Sequence, residues 1–297
     1  MARTPGAADR GPGGAFAGRH VLSMRQYTRQ DLELLFHTAD RMAALLRRRA
    51  VGRPLDGRVL MTAFFEPSTR TRLVHESAML RLGGAVSGFA DPSVTRSGGS
   101  TNESDGDIVR MLDSYADVLV VRHPRTGQPA ELARQLGEAL LINAGDGTGE
   151  HPTQAMVDLY TLRRRFGSVD GLRVLVVNDL RMRCVNSLLL GLRLYDCEVF
   201  LDGGDLLELL PKVDVLYSSP TVSVPREAGP EQPPRPVAID RRLLERHAGE
   251  RLAVLHPLPR GGELATDVDD TPFNAYWEQA AHGVAVRMAL LKLMFEA

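Results

Sequence analysis

Phe64-Phe65-Glu66-Pro67-Ser68-Thr69-Arg70-Thr71-Arg72 is the stretch that decides how this chain folds. The apolar run from Val59 to Phe65 has the length of a buried strand, and Pro67, with no N–H to give a ladder, stops it. A helical pattern of Leu73, Ser77, Leu80 and Arg81 then runs to Gly83-Gly84. Hydroxyls and an arginine therefore sit where a strand gives way to a helix N-terminus. The first turn of a helix has free N–H groups and the positive end of the dipole, a combination that suits a phosphate. Ser68, Thr69 and Thr71 add donors, and Arg70 adds a planar charged fork.

Working outward, 297 residues predict two domains. With 43% hydrophobic and 25% charged residues the chain has enough apolar material for a sizeable core. A net charge of −1 gives no basic field for nucleic acid. No apolar run reaches membrane-spanning length, and the N-terminus lacks an apolar signal core. These features predict a cytoplasmic protein with neither nucleic acid nor membrane as partner. Cys184 and Cys197 lack metal-like spacing and read as reduced thiols, so no metal is expected. Lys212 and Lys292 are the only lysines.

In chain order, residues 1–19 are rich in Gly, Ala, Pro and Arg without an apolar period and read as a disordered tail. Thr28 caps a helix, with Asp31 as its reciprocal partner and Leu32, Leu35, Phe36, Ala39, Met42, Ala43 and Leu46 as the buried stripe. Further strands are predicted over Ala85–Phe89, Val118–Arg122 and Leu140–Asn143, with helices over Asp105–Tyr115 and from near His151. A second alternating series begins with Arg173–Val177 and continues through strands Val199–Leu201, Val213–Tyr217 and Leu252–Leu255. Its helices lie near Val185–Leu194, Leu206–Leu210 and Arg241–His247. Six prolines from Pro220 to Pro236 predict a long loop, and a last helix is expected over Val284–Phe295. The expected fold is α/β: two doubly wound parallel-sheet domains. The expected spans are 20–152 for the first domain, 153–283 for the second and 284–297 for the C-terminal helix.

In open α/β sheets, ligands bind outside the carboxyl ends of strands. Polar clusters fall there: Ser68–Arg72, Arg122-His123-Pro124, Asn143–Gly147, Asn178–Arg183 and His256–Arg260. Five such clusters suggest a single cleft.

The opening string resembles the carbamoyl-phosphate motif of the aspartate/ornithine carbamoyltransferase family, closest to its aspartate branch. Val121-Arg122-His123-Pro124, Asn143-Ala144-Gly145-Asp146-Gly147 with His151-Pro152-Thr153-Gln154, His256-Pro257-Leu258-Pro259-Arg260 and Arg287-Met288-Ala289-Leu290-Leu291 match the same family in the same order. The resemblance implies a carbamoyl-phosphate domain, an amino-acid domain, a C-terminal helix returning to the first domain, a homotrimer with sites between subunits, and a reaction without metal or organic cofactor. It implies that Ser68, Thr69, Arg70 and Thr71 hold the phosphate, and that Arg122 bridges phosphate and carbonyl oxygen. His151, with Thr71 and Arg122, polarises that oxygen. Gln154 accepts from the carbamoyl NH2, Arg72 supports the set, and Leu258 faces both donor and acceptor.

Three strings depart from the family. The loop Thr95–Ser104, which in the family reaches into a neighbouring subunit with a Ser and a Lys, has no Lys here; two readings of Arg96 stay open, a replacement for that charge and a solvated loop residue. The string Val177-Asn178-Asp179-Leu180-Arg181-Met182-Arg183 is one residue short of the family's, leaving Arg183, or else Arg181, to bind the acceptor's α-carboxylate. Pro220 and Val222 stand where the family reads aspartate's side chain with Arg and Gln, and the span Val199–Val213 looks short by a helix–strand unit. The expectation is a carbamoyltransferase acting on carbamoyl phosphate and an amino-acid-derived amine other than L-aspartate. Two alternatives stay open: an aspartate carbamoyltransferase with a rebuilt pocket, and a non-catalytic homologue that binds carbamoyl phosphate.

Overall fold

A computed structural model describes residues 14–95, 103–201, 206–221 and 237–296. Arg96, Val222 and the arginines of the Pro-rich segment lie outside them. The chain divides into two compact units. The first comprises residues up to His123, Gly127–Ala144 and Val284 onward; the second comprises Pro124–Thr126 and Gly145–Gly283.

The first unit is built on a four-stranded sheet in the order β2-β1-β3-β4, with β1 Val59–Phe64, β2 Ala85–Phe89, β3 Val118–His123 and β4 Leu140–Asp146. β1 pairs in parallel with β2 and β3, and Phe64 lies in register with Arg122. Side strand β2 needs Gly88: its φ is +126°, and a Cβ there would sit 2.1 Å from the Thr62 carbonyl oxygen. Helix α1, Arg29–Arg48, begins with the expected capping box. Thr28 accepts from the Asp31 N–H, and Asp31 accepts from that of Thr28 at 2.9 Å. Leu32, Leu35, Phe36, Ala39 and Met42 are buried, as the periodicity requires.

Helix α2 spans Thr69–Arg81, where the pattern predicts it. Leu73 and Leu80 do mark a helix, but they lie on its outer face, 53% and 55% exposed. Its inner face is Thr71, His75, Ala78 and Met79. α3 spans Asp105–Asp113 and closes a cluster with Ala63, Phe65, Leu119, Val121 and Leu132. The short α4, Gln128–Ala133, follows Gly127 at φ +80°.

The second unit repeats the architecture with the order β6-β5-β7-β8: β5 Arg173–Val177, β6 Glu198–Leu201, β7 Val215–Ser218 and β8 Ala253–Leu255, all parallel pairs. Its helices are α5 Pro152–Phe166, α6 Arg183–Leu192, α7 Leu206–Leu209 and α8 Arg241–His247. Leu175, Val177, Leu216, Val254 and Tyr276 anchor its core. The last helix, α9, starts at Tyr276 rather than near Val284 and runs to Phe295. Asn274 and Ala275 lead into it, and the N–H of Gln279 already bonds the Ala275 carbonyl. The fold is thus α/β, with two four-stranded parallel sheets and a C-terminal helix whose residues from Val284 belong to the first unit. No helix among the described residues is long and apolar enough to cross a membrane.

Candidate active site

In the first unit, the strand–helix junction has the expected form. Ser68 is the N-cap of α2 in an extended conformation, and its side chain makes no capping hydrogen bond. Ordinarily that hydroxyl would satisfy an orphan N–H of the first turn. Thr69 and Arg70 are exposed, whereas Thr71 is buried. Arg72 is turned aside to Glu76, Nε to Oε1 at 2.7 Å, so it braces the helix. Arg122 ends β3; its Nη2 donates to Glu66 Oε1 at 2.6 Å and its Nη1 to the Ala144 carbonyl at 3.3 Å. The next residue, His123, lies 3.1 Å from Asp105 Oδ2 at the start of α3.

Behind this junction His75 is fully buried. The Thr71 carbonyl can only accept, so Nδ1 at 2.7 Å carries the proton and donates. Nε2 has no hydrogen-bond partner. Burial first, and the Arg287 charge second, lower its pKa to about 3. A neutral imidazole therefore underlies the helix start.

In the second unit His151 is the N-cap of α5 and nearly buried. Its backbone N–H donates to Ser187 Oγ at 2.8 Å, and its Nδ1 is 3.5 Å from Thr153 Oγ1. Gln154, one turn on, donates from Nε2 to Asp158 Oδ1 at 2.7 Å. The beginning of α6 grips the loop before α5. Arg183 Nη1 donates to the Gly147 carbonyl at 3.3 Å, and Asn186 Nδ2 donates to the Thr148 carbonyl at 2.8 Å. Gly147, at φ +40°, leaves no room for a side chain beside the Pro124 carbonyl.

The two arginines left open by the sequence are placed differently. Arg183 is buried at the first turn of α6, while Arg181 is half-exposed and paired with Asp179 at 3.0 Å. Asn178 sits at φ +76°, a region Asn tolerates better than most residues. Its side chain donates to Ser218 Oγ and accepts from the Val237 N–H. Pro220, just past β7, is buried.

Leu258, at φ +59°, is held by its N–H, which donates to His256 Nδ1 at 2.9 Å. This bond requires the His256 proton to be on Nε2, which donates to Glu263 Oε1 at 3.0 Å. Both side chains are fully buried. Glu263 also accepts from the Gly261 N–H at 2.7 Å and from Thr221 Oγ1 at 2.5 Å. Burial pushes its pKa up, but the bonds from His256, Thr221 and Gly261 outweigh it and bring it down to about 2. Arg260, next in the loop, makes a two-pronged pair with Asp269 at 2.6 and 2.8 Å.

The sequence reading did not identify Glu66, Asp158, Tyr217, Glu263 or Gln279 as part of these clusters. One signal was available: Gln154 and Asp158 are four apart on one helix, a spacing that brings side chains together.

The chain matches two family models in tandem. Residues 19–164 match the carbamoyl-P binding domain of aspartate/ornithine carbamoyltransferases, and residues 200–294 match the Asp/Orn binding domain. It is 42% identical over 315 residues to the aspartate carbamoyltransferase catalytic subunit of Hyperthermus butylicus, covering 96% of this chain and 98% of the relative. The Thermofilum pendens protein of the same name is 43% identical over 317 residues, covering 96% and 97%. Both alignments are longer than this chain, so the relatives carry residues that it lacks. Among solved structures, aspartate transcarbamoylase of Trypanosoma cruzi in complex with aspartate and phosphate superposes with a TM-score of 0.85 at 32% identity, covering 98% of each chain. On matches that span nearly its whole length, the chain belongs to the aspartate/ornithine carbamoyltransferase family.

Proposed function

We propose that the protein transfers the carbamoyl group of carbamoyl phosphate to the α-amine of L-aspartate. The start of α2 carries the donor half of this reading: a Ser68 hydroxyl that makes no capping bond, exposed Thr69 and Arg70, and a first helical turn whose N–H groups suit an anion. Ser68, Thr69, Arg70 and Thr71 hold the phosphate. Arg122 joins them by exchanging the Glu66 carboxylate for phosphate oxygen. His151 donates to the carbonyl oxygen as charge builds there, and Gln154 accepts from the carbamoyl NH2. Leu258 lines both substrates through its backbone.

The amine nitrogen attacks the carbonyl carbon, a C–N bond forms, and the C–O bond to phosphate breaks with its electron pair going to phosphate. Net, the amine's proton ends on that phosphate. Preorganised donors at the carbonyl oxygen and the holding of two small reactants together are what this step requires.

Relatives at 42% and 43% identity that bear the aspartate name favour aspartate as acceptor. Arg183, buried at the head of α6, is assigned its α-carboxylate. One observation favours a second reading, an amino acid without an acidic side chain: Pro220, at the position assigned to a carboxylate-reading arginine, offers neither charge nor N–H. Steady-state kinetics with aspartate, ornithine and 2,3-diaminopropionate beside carbamoyl phosphate decides between them. Aspartate is expected to give the highest kcat/KM. If another amine does, the second reading replaces the first, and if no amine releases phosphate the chain is a non-catalytic binder. A homotrimer is part of the proposal. Leu73 and Leu80, two turns apart on the exposed face of α2, are apolar surface for a second copy to cover. Light scattering tests it, a monomer being the adverse result.

A further inference from the structure

Asp158 is completely buried on α5, and three side-chain donors reach it. Gln154 Nε2 reaches Oδ1 at 2.7 Å, Gln279 Nε2 reaches the same oxygen at 2.6 Å, and Tyr217 OH reaches Oδ2 at 3.0 Å. A buried carboxylate needs such a complement. The arrangement also fixes things that side-chain shape alone leaves free. The two ends of a glutamine amide are nearly the same in size, and only their partners distinguish them. Gln279 is determined from both sides. Its oxygen accepts from the His256 backbone N–H at 2.9 Å, so its NH2 must face Asp158, and Asp158 must accept. With Asp158 thereby an acceptor, Gln154 must also turn its NH2 inward, which leaves its oxygen as the outward end.

We propose that Asp158 is a positioning residue that sets the amide of Gln154 so that an oxygen, not an NH2, meets the carbamoyl group. The proposal rests on the reading that Gln154 accepts from the carbamoyl NH2. An NH2 facing another NH2 would forfeit that hydrogen bond and add repulsion between donors. Asp158 thus acts on the donor's chemistry without touching it. Through Gln279 and the His256 N–H the same carboxylate braces the loop that presents Leu258, so one buried charge holds two parts of the second unit in register.

Asp158→Asn keeps the shape but places an NH2 among the three donors. It is expected to lower kcat/KM for carbamoyl phosphate about tenfold or more, the scale of one lost hydrogen bond. Affinity for inorganic phosphate, which has no carbamoyl group, is expected to stay within about twofold of wild type on the same scale. A merely structural role moves both ligands together, and that result overturns the proposal. In a double-mutant cycle Gln154→Ala should add almost nothing to Asp158→Asn, because the contribution of Gln154 already depends on Asp158. Full additivity overturns the proposal. Gln154→Ala alone separates the two levels. If it leaves carbamoyl phosphate unaffected, the reading of Gln154 fails. If it has its effect while Asp158→Asn has none, the positioning role fails. Should Asp158→Asn not fold, Tyr217→Phe, which removes a single donor from Oδ2, is expected to give a smaller loss of the same kind, confined to carbamoyl phosphate; an unchanged or ligand-independent effect then counts against the proposal.

Discussion

The two units handle polar groups in opposite ways. In the first, the charges assigned to the donor are at or near the surface, on the opening turn of α2 and the end of β3, and Arg122 Nη2 donates to Glu66. In the second, a chain of buried groups runs Gln279, Asp158, Tyr217 on one side of His256 and Glu263 on the other, ending at the partly buried Thr221. A phosphate brings its own charge and wants accessible cations, whereas orienting a neutral carbamoyl group requires amides whose ends cannot swap. The buried histidines make the contrast sharp. His256 is bonded through both ring nitrogens, and His75 through one.

The largest expected break in that comparison comes from His151→Ala. Turnover should fall roughly 10²–10³-fold, the cost of one donor at a developing oxyanion, while inorganic phosphate still binds. Arg70→Ala should do the reverse, weakening phosphate roughly 10–100-fold in calorimetry, as expected for a charge-assisted hydrogen bond. Near-wild-type phosphate affinity would remove the first unit from anion binding.

Stability gives two finer tests. Glu263 is lowered from 4.5 to about 2, so its contribution is complete above pH 4.5 and is lost as pH falls through the folded value. Glu263→Gln should lower the urea midpoint at pH 7 and flatten its fall between pH 4.5 and 2. An unchanged midpoint would show that the buried network is dispensable. His75 acts earliest as the pH falls. Its folded value of about 3 lies below 6.5, so the unfolded chain binds the proton first. Stability is complete above pH 6.5 and declines from there towards pH 3, by about 1.4 kcal/mol for each pH unit well inside that window. His75→Phe should remove this part of the decline, and an identical slope in both proteins would refute it.

Alternating apolar runs made most of the fold legible, to the residue at Arg173–Val177 and Arg241–His247. α4 escaped because it is short and has a proline in its first turn. The start of α9 escaped because Tyr276 to Gln279 mixes aromatic and polar residues without a clear stripe. At the site, the motif residues on single junctions were readable. The partners that fix them were not, since Asp158 meets Tyr217 across 59 positions and Gln279 across 121. Which face of α2 turns inward was also hidden, because its leucines point outward and a histidine points in.

The division of α9 between units bears on how the protein is made. Val284 onward belongs to the first unit, where the Gly18 N–H donates to the Met294 carbonyl at 3.0 Å and Arg58 stacks on Phe295. A ribosome delivers β1 to β4 long before that segment. The early unit must therefore wait, with Val286, Leu290 and Leu291 missing from its core, until the whole of the later unit has emerged. Order of synthesis and order of completion are inverted.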